Sequence, residues 1–236
     1  MSSGLKGPVY TLGALGDGKT AALQALPAPP DLDALLPGQG EWVVEIGYGK
    51  GRYLLRQVLE NPGVRHLGME IVSKYWRLLG DRARKRGARN LVNVRGEALS
   101  ILATALPRGF AREVHVYFPD PWHKTRHHRR RLFDPETIDL VLGALAPGGR
   151  LIFATDYLEY GGIVRGILES HPDLEVTVHK GEWPDGARTN YEAKFITEGR
   201  PILRLVARLR EGASDRRLHP AGEPRLANAW APHRDD

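Results

Sequence analysis

The stretch "EIGYGKGR", Glu45–Arg52, lies between an apolar run, "WVVEI" (Trp42–Ile46), and an amphipathic one that begins near Arg52. Its glycines, Gly47, Gly49 and Gly51, are spaced G-x-G-x-G. A strand that enters a glycine turn and leaves as a helix sets bare backbone and a helix N-terminus against whatever lies above the turn. A dinucleotide fingerprint asks for G-x-G-x-x-G and finds Arg52 in its last place. The tighter spacing, with Glu45 at the strand end, suits a ligand that has no pyrophosphate to seat.

Working outward, short β-rich runs recur: "RHLGME" (Arg65–Glu70), "LVNVR" (Leu91–Arg95), "EVHVYF" (Glu113–Phe118) and "RLIFAT" (Arg150–Thr155). Helix-period stretches near Arg52–Glu60, Val72–Arg86, Ile101–Leu106, Pro135–Ala146 and Tyr157–Ser170 alternate with them, and Pro147–Gly149 reads as a helix stop. Glu175–His179 and Pro201–Leu209 read as a closing hairpin, bringing the strands to seven. This alternation predicts an α/β domain over residues 41–210, a mixed, mostly parallel sheet with helices on both faces. Residues 1–40 read as a flexible N-terminal arm, since Met1–Pro37 holds ten Gly or Pro residues. Residues 211–236 read as a flexible C-terminal tail.

The acids fall in register with the glycine turn. Glu70 ends the second strand, where a carboxylate can accept both hydroxyl hydrogens of a ribose. Glu97 follows the third strand, within reach of a base or its amino group. A glycine turn with acids after strands two and three describes a pocket for S-adenosylmethionine.

A rival claim comes from "GALGDGKT", Gly13–Thr20, which satisfies the phosphate-loop pattern G-x-x-x-x-G-K-[ST] letter for letter. Such a loop must leave a buried strand and open into a helix. Only "PVYTL" precedes it, and "AALQAL" lasts six residues before "PAPP". The motif therefore reads as coincidence in the arm, and a nucleotide hydrolase using Lys19 as a rival to be discarded.

Composition bounds the rest. The chain of 236 residues has no cysteine, which removes thiolate and disulfide chemistry and fits a reducing compartment. It shows no apolar run of about 18 residues and no charged-then-apolar leader, so a cytoplasmic protein without a membrane span is expected. The net charge of +6 points to a polyanionic partner.

"VYFPDPWHKTRHHRRRL", Val116–Leu132, speaks to the substrate. Its strand delivers Asp120 to the carboxyl edge of the sheet, and Pro119 and Pro121 restrict the backbone on either side. Five of the eight residues Lys124–Arg131 are Lys or Arg, interleaved with His127 and His128, a run suited to phosphate backbones. Trp122 either stacks on a base or anchors the loop in the core. Adjacent histidines without further ligands assign no metal.

At these residues the sequence resembles a known family. "EIGYGKG", "GME", "FPDPWHKTRHHRRRL", "ATD" (Ala154–Asp156) and "TNYE" (Thr189–Glu192) stand in the order and spacing of the bacterial tRNA (guanine-N(7)-)-methyltransferases. The resemblance spans roughly Glu41 to Leu209. It implies a class I S-adenosylmethionine-dependent methyltransferase (Rossmann-like) fold and a tRNA partner, the methyl going to the variable-loop guanine. It implies no metal, S-adenosylhomocysteine as product, and a monomer or homodimer. Glu45, Gly47, Gly49, Gly51, Glu70, Glu97 and Asp120 would form the cofactor pocket, with Asp120 also catalytic. Lys124, Asp156, Thr189, Asn190, Tyr191 and Glu192 would contact the substrate, and Arg126, His127, His128, Arg129, Arg130 and Arg131 would meet the RNA. Two departures stand out: Glu97 occupies a position where the family usually carries Asp, and no arginine precedes Arg52. The alternative is a non-catalytic or differently targeted RNA-binding protein on the same fold.

Overall fold

The computed structural model describes residues 10–14, 20–23, 32–104, 106–122, 131–135, 137–210 and 212–213. Nine strands occur among them: β1 (Tyr10–Ala14), β2 (Thr20–Leu23), β3 (Trp42–Ile46), β4 (Arg65–Glu70), β5 (Leu91–Arg95), β6 (Ala111–Tyr117), β7 (Leu145–Thr155), β8 (Leu174–Val178) and β9 (Leu203–Leu209). The helices are α1 (Leu32–Leu35), α2 (Arg52–Glu60), α3 (Ser73–Lys85), α4 (Ala98–Thr104), α5 (Ile138–Gly143), α6 (Leu158–Ser170) and α7 (Asn190–Thr197). The strands form one sheet in the order β2-β1-β5-β4-β3-β6-β7-β9-β8.

The apolar strands explain the centre of that order. β3 is buried along its whole length and pairs in parallel with β4 and with β6. Chain direction across the sheet reverses there, and in open α/β sheets the crevice at such a switch point is where ligands bind. Alternate side chains go to opposite faces. Val44 and Ile46 join the larger core, with Ile101 of α4, Val141 of α5 and Tyr160 of α6. On the other face Leu54 and Val58 of α2 pack with Leu79 and Ala83 of α3. Helices therefore cover both faces, as the alternation predicted. The closing hairpin is present too, with β9 antiparallel to both β7 and β8.

Several boundaries differ from expectation, each for a local reason. α4 begins at Ala98, because Glu97 accepts hydrogen bonds from the N–H groups of Leu99 (3.0 Å) and Ser100 (2.7 Å) and starts the helix early. Pro147–Gly149 is not a helix stop but part of β7, opposite a shift of register between Ala111 and Glu113. Gly149 fits that irregularity because a Cβ there would lie 2.8 Å from the Ala146 carbonyl. The run "TNYE" opens a helix, α7, which the periodicity did not reveal.

The N-terminal arm is corrected in part. Its segments β1 and β2 form an antiparallel hairpin that pairs on the outer side of β5, adding two strands to the expected seven, β3–β9. An open edge strand offers a row of unpaired N–H and C=O groups, and two short strands suffice to cover it. Within this hairpin Gly13 pairs with Thr20, so Thr20 opens a strand and not a helix. The phosphate-loop match lacks the helix N-terminus it requires. The C-terminal tail beyond residue 213 lies outside the described residues.

Candidate active site

Backbone geometry sets the floor of the site. Gly47, Gly49 and Gly51 all have left-handed φ values, 68°, 55° and 67°, which side chains with a Cβ adopt at a cost. The turn is closed by hydrogen bonds from the Gly47 N–H to the Met69 carbonyl and from the Gly51 N–H to the Tyr48 carbonyl, both 2.8 Å. A Cβ on Gly47 or Gly49 would project into open space, whereas one on Gly51 would strike Leu79 at 2.8 Å. Gly51 is thus a packing glycine, and the first two leave a bare cradle above the carboxyl end of β3.

Glu70 pins that cradle. One carboxylate oxygen accepts from the Gly49 N–H and the other from the Val72 N–H, each at 2.8 Å. Burial pushes its pKa up, the hydrogen bonds from Val72 and Gly49 pull it down, and the nearby charge of Asp120 raises it again. Glu45 is more deeply placed, 2% exposed, and its Oε2 has no hydrogen-bond partner. Burial drives this carboxyl up to about 8, against the pull of the Arg188 guanidinium and with a push from Glu70. Glu70 thus lies close enough to perturb Glu45, and Asp120 close enough to perturb Glu70. A buried acceptor without a partner, beside a bare glycine cradle, fits a ligand that brings its own hydrogen-bond donor or positive charge.

Asp120 is exposed and sits between two unusual residues. Phe118 and Trp122, which flank Pro119–Asp120–Pro121, have φ values of 51° and 45°. Non-glycine residues in that region cost of order 1–3 kcal/mol each and persist only where their surroundings hold them. Here the Phe118 N–H donates to the Ala154 carbonyl (2.7 Å), and its ring lies 5.6 Å from that of Phe195. At the other end the Arg131 Nε donates to the Pro121 carbonyl at 2.8 Å, while the guanidinium rests over the Tyr160 ring at 4.8 Å. Arg131 is 6% exposed, which corrects its assignment to an RNA face: it anchors the Asp120 loop from within. Lys124, Arg126, His127, His128, Arg129 and Arg130 lie outside the described residues.

The remaining expected site residues divide into supports and exposed groups. Glu97 is engaged as the cap of α4 rather than standing free at the rim. Asp156 is ion-paired with Arg200, whose guanidinium also covers the Phe195 ring at 4.1 Å; no side-chain cap of α6 is formed. Thr189 caps α7, its Oγ1 accepting from the Glu192 N–H at 2.9 Å. Glu192 is wholly buried, accepting from the Arg188 N–H (2.8 Å) and from the Arg204 Nε (2.8 Å). It therefore holds the loop rather than offering free acceptors to a substrate. Asn190 is exposed, and so is Tyr191, 62% exposed beside Phe195.

Arg188 was not expected from the sequence. It donates to the Tyr117 hydroxyl (2.6 Å), bonds Asp185, and stacks over Trp183 at 4.2 Å and Tyr53 at 5.0 Å. It thereby ties the loop before α7 to α2 and β6, next to Glu45. The contacts that tie it to β6 and α2, with Tyr117 and Tyr53, are long-range, so no local pattern announces this role. Tyr48 and Asn93 are likewise a buried hydroxyl–amide pair beneath the glycine turn. Among the described residues no group of three His, Asp or Glu side chains is arranged to hold a metal ion, and no helix is long and apolar enough to cross a membrane.

A mostly parallel sheet with helices on both faces, a glycine turn after its central strand and an acid at the tip of the next strand define a class I S-adenosylmethionine-dependent methyltransferase. Solved structures share the fold: the 16S rRNA methyltransferase KamB (TM-score 0.57, 14% identity, 76% of this chain and 92% of that one). The antibiotic-resistance methyltransferase Kmr is similar as well (TM-score 0.53, 21% identity, 86% and 99%). The profile of a family described as "Putative methyltransferase" matches residues 39–205. The tRNA (guanine-N(7)-)-methyltransferase of Alkalilimnicola ehrlichii is 36% identical over 186 residues, 78% of each chain. That of Treponema pallidum is 38% identical over 198 residues, 79% of this chain and 75% of its relative. The chain belongs to the tRNA (guanine-N(7)-)-methyltransferase family.

Proposed function

We propose that this protein transfers a methyl group from S-adenosylmethionine to N7 of a guanine in the variable loop of tRNA. The observation that carries the reading is Asp120, exposed between two strained residues and close enough for its charge to act on Glu70, which pins the glycine cradle. The cofactor, when bound, supplies an electrophilic methyl on a sulfonium. Gly47 and Gly49 leave room for it, the orphaned Glu45 Oε2 offers its positive end an acceptor, and Glu70 holds the loop in shape. Glu97 contributes by fixing the backbone at the start of α4.

Guanine N7 carries an exposed lone pair and no proton at neutral pH, so the attack needs no general base. The protein's task is to place that nitrogen in line, a matter of proximity and orientation. N7 lies on the major-groove edge of the base, so the guanine must be turned out of its tertiary contacts first. Asp120 accepts hydrogen bonds from the guanine and favours the positive charge that grows on the ring. A carboxylate aimed by strained, buried-anchored backbone has little freedom to lose on binding. Asp156, Asn190 and Tyr191 are assigned to substrate contact, and the basic run Lys124–Arg130 begins four residues after Asp120 in the chain. The test is a tRNA transcript carrying 7-deazaguanine, in which a carbon replaces N7. It accepts no methyl while the ordinary transcript does; equal labelling of both would refute the N7 assignment.

A further inference from the structure

The segment Ser73–Arg89 carries seven cationic side chains, Lys74, Arg77, Arg82, Arg84, Lys85, Arg86 and Arg89, against one carboxylate, Asp81. Its net charge of +6 equals that of the whole 236-residue chain. Most of it is α3, a helix of 13 residues and about 20 Å. Its inner face is fixed by Leu79 and Ala83, which are fully buried against α2. At 100° per residue Asp81 falls at the middle of an arc about 100° wide on the opposite side, over which the four cations Lys74, Arg77, Arg84 and Lys85 are spread. All four are exposed.

A solvated helix face ordinarily mixes signs, because opposite charges three or four apart stabilise and like charges repel. Asp81 is ion-paired with Arg84. Among the described residues no carboxylate lies within ion-pair distance of Lys74, Arg77, Lys85, Arg86 or Arg89. Attraction to the helix dipole accounts for cations in the last turn, Arg82, Arg84 and Lys85. It does not account for Lys74, which sits in the first turn, where a positive charge is disfavoured. The other long helix, α6, shows the ordinary arrangement: Arg165 is paired with Glu169 four residues on, and Glu159 adds a second acid. The excess is therefore local, and it begins beside the site. Lys74 follows Glu70 by four residues, and Arg82 donates to the carbonyl of Lys50 within the glycine turn (3.2 Å).

We infer that the outer face of α3 is a second contact surface for the tRNA, gripping its phosphate backbone away from the methylated base. This rests on the reading of the protein as a tRNA methyltransferase, and it extends the RNA footprint beyond the basic run after Asp120. The side chains on this face are cationic, so it positions the RNA through its phosphates and reads no sequence. A stripe of this length spans several successive phosphates.

The experiment measures binding of unmodified tRNA to the full-length protein across a salt series. Lys74→Ala/Arg77→Ala/Arg84→Ala/Lys85→Ala is compared with wild type and with Arg165→Ala on α6. Each phosphate contact adds roughly 0.7–0.9 to the slope of log affinity against log salt concentration. The quadruple variant is expected to lower that slope by about 2–3 and to weaken binding at least tenfold near 0.1 M salt. Arg165→Ala changes neither, S-adenosylhomocysteine affinity stays at its wild-type value, and kcat at saturating tRNA is kept while KM rises. Alanine favours helix, and an unchanged melting temperature shows that α3 is intact. If that variant melts early, Lys74→Gln/Arg77→Gln decides, with a slope lowered by about one or more. An unaltered slope with intact folding overturns the inference, as does a loss confined to binding of phosphatidylserine vesicles. Binding is read independently of turnover, so a wild-type protein that binds tRNA but does not methylate it refutes the proposed function and leaves the slope to judge α3.

Discussion

Replacing Glu45 by Gln tests the electrostatics of the pocket. Burial holds this carboxyl at about 8, so close to nine-tenths of it is protonated at pH 7. A ligand cation that pairs with Glu45 requires the anion. Ionising it at pH 7 costs on the order of 1 kcal/mol, roughly a factor of ten in affinity. Wild-type affinity for S-adenosylhomocysteine should therefore rise about tenfold between pH 7 and 9 and level off above the pKa. Calorimetry at pH 7 in buffers of different ionisation enthalpy should show release of nearly one proton from the protein. In Glu45→Gln the protein's share of both effects disappears, and titration of the ligand's own amine, common to both proteins, cancels in the comparison. The free protein gives a second readout. A carboxyl raised from 4.5 to about 8 keeps its proton in the folded state, so its contribution to stability is full at the acid end and is lost as pH rises from about 4.5 to 8. Glu45→Gln removes that decline. Equal proton release from the two proteins, or none from wild type, would refute the reasoning.

Four further outcomes are expected. Asp120→Ala should cut methyl transfer by roughly 10²–10³ while tRNA affinity stays within about threefold; full turnover would remove Asp120 from the chemistry. Arg131→Ala loses a charged hydrogen bond to Pro121 and the contact with Tyr160, together about 2–5 kcal/mol. It should lower the melting temperature by several degrees and slow turnover without changing the salt dependence of tRNA binding, whereas a shallower salt slope at constant melting temperature would return Arg131 to the RNA face. Gly51→Ala combines left-handed strain with the clash against Leu79 and should cost about 2–5 kcal/mol, read in chemical denaturation. Gly47→Ala meets no atom and should cost only about 1–2 kcal/mol while sharply weakening cofactor binding.

The glycine turn, the parallel centre of the sheet and the acids at its edge were legible because each depends on local pattern: alternation, spacing, a residue at a strand end. What local pattern cannot carry is destination. Arg131 closes a basic run and looks like its neighbours, yet it turns inward because the Pro121 carbonyl and the Tyr160 ring await it. Thr189-x-x-Glu192 carries the capping-box signature, so α7 could have been read from it. The burial of Glu192 could not, since it depends on Arg204 one strand away. The hairpin β1–β2 was hidden by its Gly-rich setting. It forms because β5 presents an edge, a fact of topology rather than composition.

The most direct measurement is chemical. Unmodified tRNA is incubated with the protein and S-adenosylmethionine, treated with borohydride and aniline to cleave at N7-methylguanine, and mapped on a sequencing gel. A single new cut at the variable-loop guanine, absent without cofactor and formed far more slowly with Asp120→Ala, is the predicted result. Incorporation of methyl groups without that cut, or a cut elsewhere in the tRNA, would contradict it.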